Sequence, residues 1–266
     1  MRPKSPLSAL RSAIASLRRW PAPRLVEHDG LLDLRFERGV GQSRMDALAP
    51  ERLVVDYTRT MLAALLWQPR ATRIGVVGLG GGSQVKFLHR WRPRACIEAI
   101  EINPRVLALR QRFRIPPDDA RLRVVRADAR LLLPQRRDAY DLLLLDAYDP
   151  TGIPSALSTQ AFYDDCRAAL APGGVLAANL FCDDHARHAE RLRQAFDGRI
   201  LVVEEALQSN RVAFAWRDAM PKEWRPDVAD VVREFDADAC EELQQALSLV
   251  ADAWARRSDH GACGGA

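Results

Sequence analysis

The sequence predicts an α/β fold: a doubly wound, mostly parallel sheet that ends in an antiparallel hairpin and is preceded by a small β-rich unit. Three observations carry this. From Arg73 onward, short apolar runs (IGVVGLG, ACIEAIEI, LRVVRAD, YDLLLLD, GGVLAANLF, RILVVEE, VAFAW) alternate with helical stretches. A parallel sheet needs that alternation, because parallel neighbours require crossover connections and each face must be covered. The last two runs are separated only by residues 206–210, too short for a crossover helix, so they pair as a hairpin. Finally, 266 residues with 48% hydrophobic and 28% charged positions are enough to bury a core and exclude a disordered chain.

Taken in order, residues 1–23 form a basic segment (Arg2, Lys4, Arg11, Arg18, Arg19) that reads as a solvated amphipathic helix or frayed terminus rather than an RNA-binding arm. Residues 24–45 alternate apolar and polar positions around a turn at His28-Asp29-Gly30, which predicts a β-hairpin. Over residues 50–67, Leu53, Val54, Tyr57, Met61, Leu62, Leu65 and Leu66 recur at helical spacing and Pro69 closes the run, which predicts one long helix. Residues 24–72 thus form a small unit, residues 73–218 the sheet domain, and residues 219–266 a tail. In that tail MPKEWRPD reads as loop, residues 237–256 as helix and SDHGACGGA as disordered.

The formal charge of +4 is a modest surplus, so nucleic acid is not indicated. No apolar run is long enough to cross a bilayer and the first twenty residues lack a continuous apolar stretch, so a soluble cytoplasmic protein without membrane contact is expected. Five scattered cysteines, never arranged as CxxC, suggest buried thiols rather than disulfides or zinc. Cys182-Asp183-Asp184-His185 with His188 reads as a helix cap with histidines on a solvated first turn, and no metal is expected. Trp20, Trp67, Trp91 and Trp224 read as packing residues.

The candidate chemistry lies at strand ends. Gly78-Leu79-Gly80-Gly81-Gly82-Ser83 follows the first strand of the sheet domain and opens a helix, so its backbone can approach an anionic or polar ligand closely. The next strand ends in Glu101, about twenty residues on, where a carboxylate can accept both hydroxyls of a ribose. Together these indicate a nucleoside. Ser83 stands where a dinucleotide fold places its third glycine, which disfavours NAD. Asp128, followed by Ala129, suits either an adenine amino group or the N-cap of the next helix. Asp146-Ala147-Tyr148-Asp149-Pro150 reaches the carboxyl edge of the sheet, where Asp146 and Asp149 can converge on one cation, such as an amine, or cap a turn. Glu204-Glu205 and Gln208-Ser209-Asn210 fall near the hairpin turn, as pocket lining or as an exposed turn.

With these residues the chain resembles the spermidine synthase (polyamine aminopropyltransferase) family, within the S-adenosylmethionine-dependent methyltransferase-like superfamily. The similarity runs over residues 25–216. It rests on the 78–83 loop, Ile100-Glu101-Ile102, Asp128-Ala129, Asp146 to Pro150, Phe162-Tyr163 and Leu170-Ala171-Pro172-Gly173-Gly174-Val175, with Gln42-Ser43 and Tyr57 resembling the family's entrance region. The resemblance implies a Rossmann-like, methyltransferase-type sheet, a small-molecule amine acceptor and a homo-oligomer. It implies aminopropyl transfer from decarboxylated S-adenosylmethionine without a metal, leaving methylthioadenosine. Asp146 would orient and deprotonate the amine, while Asp149, Tyr148 and Tyr57 would hold it. Gly78, Gly80, Gly81, Gly82, Ser83, Glu101, Asp128 and Ala129 would bind the donor, and Gln42 would close over it. Two positions depart from the family pattern. Ser83 replaces an aspartate that binds the donor's amine, which leaves decarboxylated or intact S-adenosylmethionine open as the donor. Arg59 falls where a His-Glu pair follows the tyrosine, and a cation there would repel a diamine. A methyltransferase and a non-catalytic nucleoside-binding homologue are the rival readings.

Overall fold

The computed structural model describes residues 20–36, 41–149, 152–205 and 210–262, without the side chains of 41–42 and 258–262. The alternating segment after Pro23 folds as β1 (Arg24–His28), β2 (Leu31–Arg35) and β3 (Gly41–Asp46), an antiparallel sheet. Asp29 and Gly30 turn the first hairpin with φ of 48° and 75°, the mirror-image turn that matches strand twist. The third strand extends the predicted hairpin, and it is tied in by charge. Arg44 of β3 donates from Nε to the buried Asp33 carboxylate of β2 at 2.7 Å, beside Arg35 and His28. These donors, Arg44 foremost, hold Asp33 far below the usual carboxylate range.

The helix expected over residues 50–67 is shorter: α1 spans Asp56–Leu62 and tightens into a 3-10 turn over Ala63–Leu66. Leu53 is buried, but its N–H is taken by Glu242 Oε1 at 2.9 Å, and Val55 lends its carbonyl to the Thr58 hydroxyl at 2.5 Å. One long-range bond, to Leu53, and one local bond, to Val55, therefore hold the residues ahead of the helix outside it.

The main sheet contains β4 (Arg73–Val77), β5 (Cys96–Glu101), β6 (Leu122–Arg126), β7 (Tyr140–Leu145), β8 (Leu170–Asn179), β9 (Ile200–Glu204) and β10 (Arg211–Trp216). Its order is β6-β5-β4-β7-β8-β10-β9. The pairs among β6, β5, β4, β7 and β8 are parallel, whereas β10 is antiparallel to both β8 and β9, as the short connection predicts. Covering both faces makes the strands apolar throughout. On β7, Leu142 and Leu144 join one buried cluster and Leu143 and Leu145 the other, the period-two alternation of a two-sided strand.

The remaining helices are α2 (Ser83–Trp91), α3 (Pro104–Leu107), α4 (Ala129–Leu132), α5 (Gln160–Ala169), α6 (His185–Ala195), α7 (Val228–Val232) and α8 (Ala237–Ala262). Within α8, Leu243, Leu247, Val250 and Trp254 form a buried stripe at helical spacing. Trp254 meets Trp224 and Trp216 at ring-centroid distances of 4.7 and 5.1 Å, and Trp67 stacks on Phe214 at 5.3 Å. The helix runs past Arg256 to Ala262, beyond the end expected from sequence, and α7 lies in a stretch whose helix the sequence did not announce. Asp227 caps α7 by accepting the Asp230 N–H at 3.1 Å. Of the described cysteines only Cys166 is buried; Cys96 is exposed, and Cys182 and Cys240 are half-buried. No helix among the described residues is long and apolar enough to cross a membrane.

Candidate active site

The parallel ladder extends one residue past the strand ends and so aligns the loops. The Gly78 N–H donates to Ile100 O at 2.9 Å, and the Asp146 N–H to Val77 O at 2.8 Å. Gly78 has φ of +93°, and a Cβ there would lie 2.2 Å from the Asp146 carbonyl oxygen. Only glycine allows the loop to pass that close to the next strand's end. Gly82 then starts α2 from a left-handed conformation, with no side chain capping the first N–H groups. The β3 strand roofs this loop: Gly81 N–H donates to Ser43 Oγ at 3.0 Å, and the Ser83 hydroxyl lies 3.5 Å from Arg44 O.

Glu101 closes β5 beneath the loop. Its Oε1 accepts the Asn103 N–H at 2.7 Å and its Oε2 the Leu79 N–H at 3.1 Å. Burial raises its pKa, an effect opposed by the surrounding backbone donors. Those donors are the backbone N–H groups of Asn103, Leu79, Gly80 and Ile102. Asp128 does cap α4, with Oδ1 accepting the Arg130 N–H at 2.9 Å and Ala129 buried behind it. The Oδ2 of this half-buried residue faces the Arg130 guanidinium, at 3.4 Å.

Asp146 leaves β7 at the same edge. Tyr57 of α1 donates its hydroxyl to Oδ2 at 3.0 Å, and Asn179, the last residue of β8, donates Nδ2 to Oδ1 at 3.0 Å. Burial pushes the Asp146 pKa above the ordinary aspartate value, and these two donors pull it back. A carboxylate held on two fixed donors in a dry setting is a more basic proton acceptor than a solvated one. The Tyr57 phenol is raised too, by burial and then by the Asp146 charge.

Tyr148 differs from the sequence reading. Its hydroxyl donates to Asn179 O at 2.7 Å and accepts the Phe181 N–H at 2.9 Å, so it fixes the loop to the end of β8 instead of offering a free donor. Asp149 N–H bonds Gly152 O at 2.9 Å, and the residue is half-buried. Pro150 lies outside the described residues, as do Gln208 and Ser209, and so does the Gln42 side chain.

Ser43, Arg44, Tyr57, Gly78, Ser83, Gln84 and Asp146 line one cleft. The glycine loop and the Asp146 carboxylate meet there, while Glu101 and Asp128 stand at the neighbouring strand ends outside its lining. Arg59 does not point its charge at this cleft unopposed: it pairs with Asp56, and with Glu242 of α8 at 3.6 Å. His188 is also not on a solvated turn. It is buried, with Nδ1 2.6 Å from the Tyr163 hydroxyl. The sequence reading missed Asn179; the signal available was a single amide at the end of an otherwise apolar strand.

The model of the spermine/spermidine synthase domain matches residues 56–194. The polyamine aminopropyltransferase of Chromobacterium violaceum is 33% identical over 202 residues, covering 75% of this chain and 77% of that protein. A probable spermidine synthase from Corynebacterium glutamicum superposes with a TM-score of 0.65 at 17% identity, covering 85% of this chain and 91% of that one, a likeness of fold. Human methyltransferase-like protein 13, solved in complex with SAH, gives a TM-score of 0.58 at 25% identity, covering 73% of this chain and 93% of that one. The domain match over more than half the chain and the long bacterial alignment agree with the carboxylate edge built above: the chain belongs to the spermine/spermidine synthase family.

Proposed function

We propose that this protein is a transferase that moves an aminopropyl group from decarboxylated S-adenosylmethionine to an amine, releasing methylthioadenosine. The observation that carries the reading is the Asp146 carboxylate, held by Tyr57 and Asn179 at the carboxyl edge of β7 and made more basic by burial. The residues present suit an adenosyl donor: Glu101 stands beneath the glycine loop at the end of β5, and Asp128 stands at the next strand end. Asp146 takes a proton from the attacking amine. The amine lone pair forms the new C–N bond while the C–S bond breaks, and its electrons return to sulfur as a neutral thioether. A sulfonium leaves without activation, so alignment and proton removal are the work left to the protein. Asp149 adds negative charge on the acceptor side, and Tyr148 keeps that loop in place.

One observation favours a second reading, methyl transfer from intact S-adenosylmethionine. Ser83 faces the Arg44 carbonyl, and Asp146 is the one carboxylate among the described residues lining the cleft, so no second acid there is set to exclude a donor carboxylate. Product analysis by mass spectrometry, with each donor and a panel of amines, separates the two. Methylthioadenosine formed from the decarboxylated donor only when an amine is present is the expected result. S-adenosylhomocysteine from the intact donor, without methylthioadenosine from the other, would replace the reading with the second one.

A further inference from the structure

Beyond Asp146, the described part of the sheet edge carries two buried acceptor oxygens with no donor. Asn179 spends its Nδ2 on Asp146, which leaves its Oδ1 without a hydrogen-bond partner. Glu205, directly after β9, accepts the Thr60 hydroxyl on Oε1 while its Oε2 has none. The two residues are only 5% and 9% exposed. Buried acceptors are normally paired, and a carboxylate oxygen more so than most, so these two oxygens, unpaired among the described residues, suit the donors of a ligand. Burial also raises the Glu205 pKa, against the Thr60 bond.

The two carboxylates are joined by one helix face. Tyr57, which bonds Asp146, and Thr60, which bonds Glu205, are three residues apart on α1 and therefore neighbours on its surface. The helix packs on β8 and β10, the two strands that separate β7 from β9 in the sheet. The cation whose charge reaches Glu205, Arg59, is engaged by Asp56 and Glu242. Asp146, Asn179 and Glu205 thus follow one another along the strand ends of β7, β8 and β9, with Asp146 and Glu205 each bonded to α1.

We propose that Glu205, held by Thr60, is the specificity-determining anchor for the far ammonium group of a linear diamine whose uncharged nitrogen lies at Asp146. This rests on the aminopropyl-transfer reading and adds to it the residue that separates diamines from monoamines. An ammonium brings three donors, enough for Glu205 Oε2, and a monoamine of the same length brings none to that end.

The test compares the wild type with Glu205→Gln, which keeps the shape and the Thr60 bond but loses the charge. The substrates are α,ω-diaminoalkanes of about three to six carbons and n-alkylamines of equal length, at saturating decarboxylated donor. For the variant, the KM of the best diamine is expected to rise about tenfold to a hundredfold with kcat nearly unchanged, because a charge-assisted bond made equally in ground and transition states is lost. Monoamine constants should stay as in the wild type, and the thermal stabilisation by diamine alone should disappear. Glu205→Asp, which retreats by one methylene, should move the preference toward a longer diamine. Equal effects on diamines and monoamines, or an unchanged diamine KM and thermal shift, would overturn the anchor while leaving the reaction standing. A wild type that makes no methylthioadenosine with any amine, yet shows diamine stabilisation dependent on Glu205, would remove the reaction and keep the anchor.

Discussion

Asp146→Asn lowers kcat about a hundredfold to ten-thousandfold in this account, the range that a positioned general base contributes, and leaves methylthioadenosine binding measured by calorimetry close to the wild type. The asymmetry follows from where the groups sit. Glu101 and the glycine loop lie on β4 and β5 and keep their bonds without the Asp146 charge. The proton acceptor is lost, while the Asn side chain still fills the site. The pH profile gives a second readout. Asp146 acts ionised, so activity in the wild type rises with pH as it loses its proton. Burial places that rise above the ordinary aspartate range, and the variant should lack it. Wild-type turnover in the variant would remove Asp146 from the reaction.

Gly78→Ala is expected to lower kcat/KM at least about a hundredfold although it touches no functional group, since small displacements of reacting groups are that costly. The added methyl would sit 2.2 Å from the Asp146 carbonyl oxygen, and backbone cannot yield as a flexible side chain does. Either the glycine loop or Asp146 must move. Gly198→Ala is the control. Gly198 has a similar φ of +79°, but a methyl group added there would meet nothing within 4 Å. It should cost roughly 1 kcal/mol or somewhat more from the left-handed backbone, seen as a lower Tm, with kcat/KM retained. Equal activity losses in the two variants would mean that backbone strain, not contact with Asp146, accounts for the effect.

The sheet was legible because each strand carries its own signal. The LLLL run of β7 could only be a strand covered on both faces, and the five residues between the last two runs forbade a crossover. Gly78, Glu101 and Asp146 were legible for a related reason: in a parallel sheet the chemistry falls at strand ends, and those ends can be counted off the sequence. What stayed hidden depends on contacts between distant segments. The start of α1 is set by Glu242, nearly two hundred residues away. Arg59 looked like a repelling charge because one of its partners, Glu242, is assigned only by the packing of α8 on α1; the other, Asp56, is a local neighbour on α1. His188 looked solvated until α5 and α6 were seen to bring Tyr163 to it. The Thr60 to Glu205 bond joins α1 to the far side of the sheet, and no local pattern encodes that pairing.

The decisive measurement is a crystal structure of the protein with methylthioadenosine and a diamine bound. The ribose hydroxyls are expected on Glu101, the thioether sulfur at the mouth of the 78–83 loop, and an amine nitrogen within hydrogen-bond distance of the Asp146 carboxylate. Adenosine seated away from that loop, or Asp146 turned from both ligands, would contradict it.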